Sequence, residues 1–171
     1  MIFFLQKILM FSVLLLVQVF FIDQLDVGRA NFFISPLVYG LVIICLPPSI
    51  ERWLLMALAL VMGLSIDLFR NTIGLNMSSL VFVAFFKNPL LNFIFSKDGY
   101  DPIKELNFNT IGWVNFLYYS ILITFFHHFW FYTIEEFHFN RIHILFLKAI
   151  ANALISTGIF FTIQLISIKR K

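Results

Sequence analysis

Apolar runs, interrupted at short intervals by polar clusters, dominate the chain from its first residues to its last. The pattern predicts helices over roughly 5–22, 32–46, 53–69, 75–95, 111–134 and 142–168. Most of these approach the length of about 20 apolar residues that an α-helix needs to cross the hydrocarbon core of a bilayer. The second is the shortest, held between Ser35-Pro36 and Pro47-Pro48, where proline can neither donate a backbone bond nor continue a helix. The fourth carries Lys87-Asn88-Pro89, which predicts a kink at Pro89 with the Lys87 stem snorkelling toward the headgroups. The fifth is crowded with aromatic residues, from Trp113, Tyr118 and Tyr119 to Trp130 and Tyr132, a composition that suits a lipid-facing helix with interfacial belts. Residues 96–110 form the one clearly polar connector, with turns at Gly99 and Pro102.

Composition fixes the class. Of the 171 residues, 61% are hydrophobic, 24 are phenylalanine and only 12% are charged. The expected fold is an all-α integral membrane protein of about six transmembrane helices, five being possible, in one polytopic domain spanning 1–171. Lys7 before the first apolar run suits a signal peptide, but Asp23, Asp26 and Arg29 stand in what would be its neutral region; an uncleaved first span is expected. Gln6 and Gln18 are that span's polar side chains, as suited to a neighbouring helix as to a ligand.

Charge then orients the chain. With six spans, one side carries Lys7, Arg52, Lys87, Lys97, Lys104, Lys169, Arg170 and Lys171, and the other only Arg29, Arg70, Arg141 and Lys148. Positive residues accumulate on the cytoplasmic side, so both termini are expected there. A formal net charge of +3 is too small to imply nucleic acid.

The third helix carries the most informative face. At 100° per residue Met56, Ala59, Gly63, Asp67 and Arg70 form one stripe, and Ala59-xxx-Gly63 is a small-xxx-small pair of the kind that lets membrane helices approach closely. Asp67 is costly inside a membrane, about 2.5–3.5 kcal/mol at mid-span, and calls for a partner. Arg70, one turn on, and Lys148, in the same half of the sixth span, are the two at hand; the alternative is an ordinary carboxylate near the headgroups. The helix then breaks at Asn71-Thr72-Ile73-Gly74. On the sixth helix Lys148, Asn152 and Ser156 repeat at i, i+4, i+8 beside Ala149, Ala153 and Thr157, a polar and small face suited to packing against the third or fourth span. A transport cavity would use similar residues.

Catalytic and metal motifs are weak. His127 and His128 are adjacent and so point about 100° apart, poor geometry for one metal. Glu135-Glu136-Phe137-His138 supplies a single Glu-x-x-His, where a carboxylate-bridged metal pair needs two. The chain has no His-Glu-x-x-His, Gly-x-Ser-x-Gly or phosphate-cradling glycine loop, and Cys45 is its single cysteine, set in an apolar run. No enzyme, cofactor or metal is expected.

The run Pro47-Pro48-Ser49-Ile50-Glu51-Arg52-Trp53, then Gly63-Leu64-Ser65-Ile66-Asp67-Leu68-Phe69, then Gly74-Leu75 resembles the MreD family of bacterial rod shape-determining membrane proteins. In that family a Gly-Leu-x-x-Asp-Leu helix end leads through a short turn into a Gly-Leu helix start. Many members have histidine directly after the second Gly-Leu; this chain has Asn76. The resemblance implies a non-enzymatic subunit of the cell-wall elongation machinery in the inner membrane, partnered by the single-span protein MreC and working alongside MreB, RodA and a penicillin-binding transpeptidase. On that expectation the faces through Ala59 and Gly63, or through Lys148, Asn152 and Ser156, dock a partner helix, while Asp67, Arg70 and Gly74 fix the turn between the third and fourth spans. The architecture is also similar to the six-helix substrate-binding subunits of energy-coupling-factor transporters, which would imply a vitamin-like solute instead.

Overall fold

The computed structural model describes residues 2–24, 35–72, 74–95, 100–137 and 142–168. The expectations for Asp26, Arg29, Ile73, Lys97, Gly99, His138, Arg141 and Lys169 to Lys171 lie outside these residues. The described chain is helical with no strand among it, an all-α membrane protein: α1 Ile2–Val17, α2 Leu41–Cys45, α3 Arg52–Arg70, α4 Leu75–Ile94, α5 Phe108–Ile111, α6 Trp113–Glu136 and α7 Ile142–Ile168. Four stretches among the described residues are long and apolar enough to cross a membrane, Leu5–Ile22, Arg52–Arg70, Leu75–Ile94 and Ile142–Ile166. The 24 residues of α6 add about 36 Å of helix at 1.5 Å per residue.

α3 packs along α4, α4 along α6 and α6 along α7. α6 is therefore central. Phe116, Tyr119, Phe131 and Tyr132 are buried along it with His127 and His128, while Trp113 and Tyr118 face outward. The expectation of a lipid-facing fifth helix fails for four of the ten aromatic residues of α6, which are buried. Aromatic content alone does not distinguish a belt from a core, because rings serve both.

The α3–α4 hairpin closes tightly for two reasons. Asn71 ends α3 in the left-handed region at φ 54°, and Gly74 opens α4 at φ 79°, a conformation glycine adopts without a Cβ clash. Gly63 then sits directly on the α4 backbone: a Cβ there would lie 2.3 Å from Met77 Cα and 2.7 Å from Met77 N. Ala59 beside it is wholly buried. The small-residue face expected to receive a partner is covered by the chain's own next helix.

α4 runs unbroken past Pro89 to Ile94. α1 is the loosest element. It continues into a π-helical turn, Gln18–Ile22, and meets α3 through that turn and α2 through its inner side. Leu5, Ile8, Leu9, Val13 and Leu16 remain exposed along it.

The second expected span is not a continuous helix. Of its described residues only Leu41–Cys45 are α-helical, about 7.5 Å of rise, and residues 35–40 run as irregular backbone and a turn. Pro47 and Pro48 stop the helix, as proline clashes with the preceding turn, while Pro36 biases Ser35 toward extended backbone. Irregular backbone is tolerated at membrane depth only where protein covers it, and residues 36–48 are all buried.

Gly63→Ala should lower stability in detergent by about 1–3 kcal/mol, because the atom in its way is backbone and cannot rotate aside. Gly158→Ala, where a Cβ meets nothing within 4 Å, should not lower the unfolding temperature and, inside α7, should raise it slightly.

Candidate functional site

Residues 35–48 carry a row of backbone N–H and C=O groups in a dry interior, and each that lacks a helical partner needs one from elsewhere. Side chains from four surrounding helices supply them. From the π-turn after α1, Gln18 accepts the Val38 N–H at 2.9 Å and donates to Asp23 Oδ1 at 2.8 Å. From α7, Asn152 Oδ1 accepts the Ser35 N–H at 2.7 Å. From α6, His128 Nε2 accepts the Leu37 N–H at 3.2 Å, and Tyr119 donates its hydroxyl to the Ile44 carbonyl at 3.2 Å. From α4, the Lys87 amine donates to the Ile43 carbonyl at 2.9 Å and to the Leu46 carbonyl. Lys87 is thus fully buried at the C-terminal end of α2, where a cation also complements the helix dipole. It does not snorkel; unpaired carbonyls hold it inside.

His128 is itself fixed. Its Nδ1 lies 2.8 Å from the Thr124 carbonyl, the contact of a protonated Nδ1, which leaves Nε2 to accept from Leu37 and from the Ser156 hydroxyl at 3.3 Å. His127 points elsewhere. It meets the Tyr39 ring edge-on at 5.5 Å, and Gly40 leaves room for it, since a Cβ there would come within 3.1 Å of the imidazole.

A second polar centre joins this segment to the α3–α4 turn. Asp67 Oδ1 accepts the Asn76 N–H at 3.0 Å, the Asn76 side-chain amide at 2.8 Å and the Thr72 hydroxyl at 2.7 Å, while Oδ2 accepts the Met77 N–H at 2.9 Å. Asn76 and Met77 are the second and third residues of α4, so Asp67 caps that helix from its neighbour, with the carboxylate at the positive end of the dipole. Asn76 passes the network inward, its Oδ1 accepting from Tyr39 at 2.7 Å and from Arg70 at 3.1 Å.

Neither cation expected for Asp67 pairs with it. Arg70 Nε bridges to Asp23 Oδ2 at 3.1 Å, tying α3 to the end of α1. Lys148 bridges to Glu136 at the end of α6. Four backbone and side-chain donors already satisfy the Asp67 carboxylate, and sequence spacing could not show that the turn and the next helix supply them. The polar face of α7 is likewise internal, Asn152 and Ser156 being fully buried against residues 35–37 and α6.

Of the expected site residues, Asp67, Arg70 and Gly74 gather at the α3–α4 joint; Ala59 and Gly63 lie one turn and more below it; Lys148, Asn152 and Ser156 form a separate face. Tyr39, Asn76, Lys87, Tyr119 and His128 escape sequence reasoning as a set. Their only signal is that each is a large polar side chain inside an apolar run. Among the described residues no three His, Cys, Asp or Glu side chains gather as metal ligands. Comparison with protein families, curated proteins and solved structures yields no match in any of the three.

Lys87→Met should cost about 1–3 kcal/mol by leaving the Ile43 and Leu46 carbonyls unpaired in the interior, read as a lower unfolding temperature in detergent. Asp67→Ala should cost about 0.5–2 kcal/mol as the loss of a helix cap and should raise amide hydrogen exchange at Asn76 and Met77 before the rest of α4.

Proposed function

We propose that the chain is a non-enzymatic scaffold subunit of the cell-wall elongation machinery in a bacterial inner membrane, of the MreD kind. In this reading it binds the membrane helix of an MreC-type single-span protein and helps couple MreB to peptidoglycan synthesis by RodA and a penicillin-binding transpeptidase. The observation that carries it is how most of the polar interior is spent, the buried His127 ring being an exception. Gln18, Asn76, Lys87, Tyr119, His128 and Asn152 all hold the chain's own backbone or joints. What the protein offers outward is apolar helix surface, including Leu60, Val61, Leu64 and Leu68 on α3 and Leu9, Val13 and Leu16 on α1. Surfaces of that kind meet lipid and other helices.

The resemblance adds support because its motif residues form one device. Gly63 allows the α3–α4 approach, Asp67 caps α4 and Gly74 makes the turn. The six-crossing topology with both termini cytoplasmic belongs to the same reading. Lys7 meets Glu105 at 2.6 Å, and Gln164 reaches Cys45 at 3.4 Å, so the start of α1, the 100–107 connector and the end of α7 share one end of the molecule. Asp23, Arg70, Glu136 and Lys148 mark the ends of α1, α3 and α6 and the start of α7.

Mild detergent extraction of the tagged chain from its native membrane, with identification of everything that co-purifies, tests the proposal. Recovery of a single-span coiled-coil partner with wall-synthesis enzymes is the expected result. Recovery of ATPase subunits or a stoichiometric vitamin-like molecule would replace it with a transport role.

A further inference from the structure

A cleft of about 720 Å³ lies between α1 and α7, closed at one end by the connector before α5. Its size falls in the range of roughly 300–1,000 Å³ typical of small-ligand sites. A transmembrane helix, some 10–12 Å across and about 30 Å long, is several times larger. The lining is divided along its length. Leu9, Met10, Val13, Val17, Ile159 and Ile163 make an apolar channel, whereas Gln6, Lys7, Glu105, Asn107, Asn109 and Gln164 gather at the closed end.

That polar end carries both signs. Lys7 Nζ and Glu105 Oε2 stand 2.6 Å apart, their side chains 14% and 34% exposed, and four amide side chains share the lining with them. An ammonium and a carboxylate side by side complement a headgroup that itself carries a phosphate and an ammonium. The apolar channel opens sideways past Leu9 and Val13, which are 66% and 50% exposed on the surface that faces lipid. An acyl chain can therefore enter from the bilayer while its headgroup stays at the interfacial end, near the start of α1.

We propose that the α1–α7 cleft is a binding site for one zwitterionic phospholipid, with an acyl chain along Val13, Ile159 and Ile163 and the headgroup phosphate and ammonium at Lys7 and Glu105. The site does not rest on the scaffold reading: a partner docked on α3 leaves it intact, and only one seated on α1 excludes the lipid. It also explains why α1 meets so little of the bundle beyond its π-turn and α2: the lipid fills the space that direct packing of α1 on α7 would occupy.

The test uses the full chain in vesicles of phosphatidylethanolamine and phosphatidylglycerol, doped with either lipid carrying a diazirine in one acyl chain. After irradiation, labelled peptides are mapped by mass spectrometry. Labelling by the phosphatidylethanolamine probe should concentrate on 9–17 and 159–164 over the exposed face of α3. Ile163→Trp, which fills the channel, should reduce cleft labelling about tenfold, equivalent to about 1.4 kcal/mol of lost affinity, while α3 labelling stays constant and so reports an intact fold. Glu105→Gln should reduce the preference for phosphatidylethanolamine, because phosphatidylglycerol has no ammonium for the Glu105 carboxylate to meet. Even labelling of all lipid-exposed faces would overturn the site, and equal cleft labelling by phosphatidylglycerol would overturn the headgroup assignment. Cross-linking of Val13, replaced by a photoreactive residue, to a partner protein in the native membrane would overturn the lipid as occupant.

Discussion

A backbone that leaves the helix inside a membrane must find hydrogen-bond partners in protein, and this requirement shapes the molecule around residues 35–48. Residues 36–48 are all buried, and each unmade bond to a buried carbonyl or amide costs about 1–3 kcal/mol. The chain meets the demand with long polar side chains set into otherwise apolar helices: Gln18, Lys87, Tyr119, His128 and Asn152. Each of these would be expensive on a lipid-facing surface. Facing the broken segment, each removes two penalties together, its own and that of the backbone group it meets.

The α3–α4 hairpin solves a smaller version of the same problem. The first amides of a helix have no partner within it, and Asp67 meets two of them from the preceding helix. The carboxylate must lie within reach of α4, which demands the close approach that Gly63 allows. Asn76 then connects hairpin and broken segment through Tyr39. Cap, close contact and core network form one continuous set of bonds, so a change at any of them is felt at the others.

Much of the architecture is legible in hydropathy, because apolar runs of span length signal membrane helices. The boundaries of α3, α4 and α7 follow from their runs and from the breaks at Asn71 to Gly74 and at 137–141. The broken segment is legible only as an anomaly, a run too short and too rich in proline. Which side chains brace it cannot be read from the sequence, since Ser35 meets Asn152 across 117 positions and Cys45 meets Gln164 across 119. The same holds for Lys87: position near a helix end suggests an interfacial lysine, and only the approach of α2 makes the interior the better place for its amine. Asp67 is conspicuous as a carboxylate in an apolar run, but local spacing points to nearby cations, while its donors come from the start of the following helix.

The bracing of residues 35–48 also bears on how the chain is made. Synthesis and insertion proceed from the N-terminus, yet apart from Gln18 the groups that satisfy this second segment come from α4, α6 and α7, all later in the chain. Until α7 arrives, Ser35 lacks Asn152 and His128 lacks the Ser156 hydroxyl. The segment cannot settle as an independent span in the manner of a self-satisfied helix. α7 therefore acts as a latch, closing a segment made 117 positions before the Asn152 that braces it.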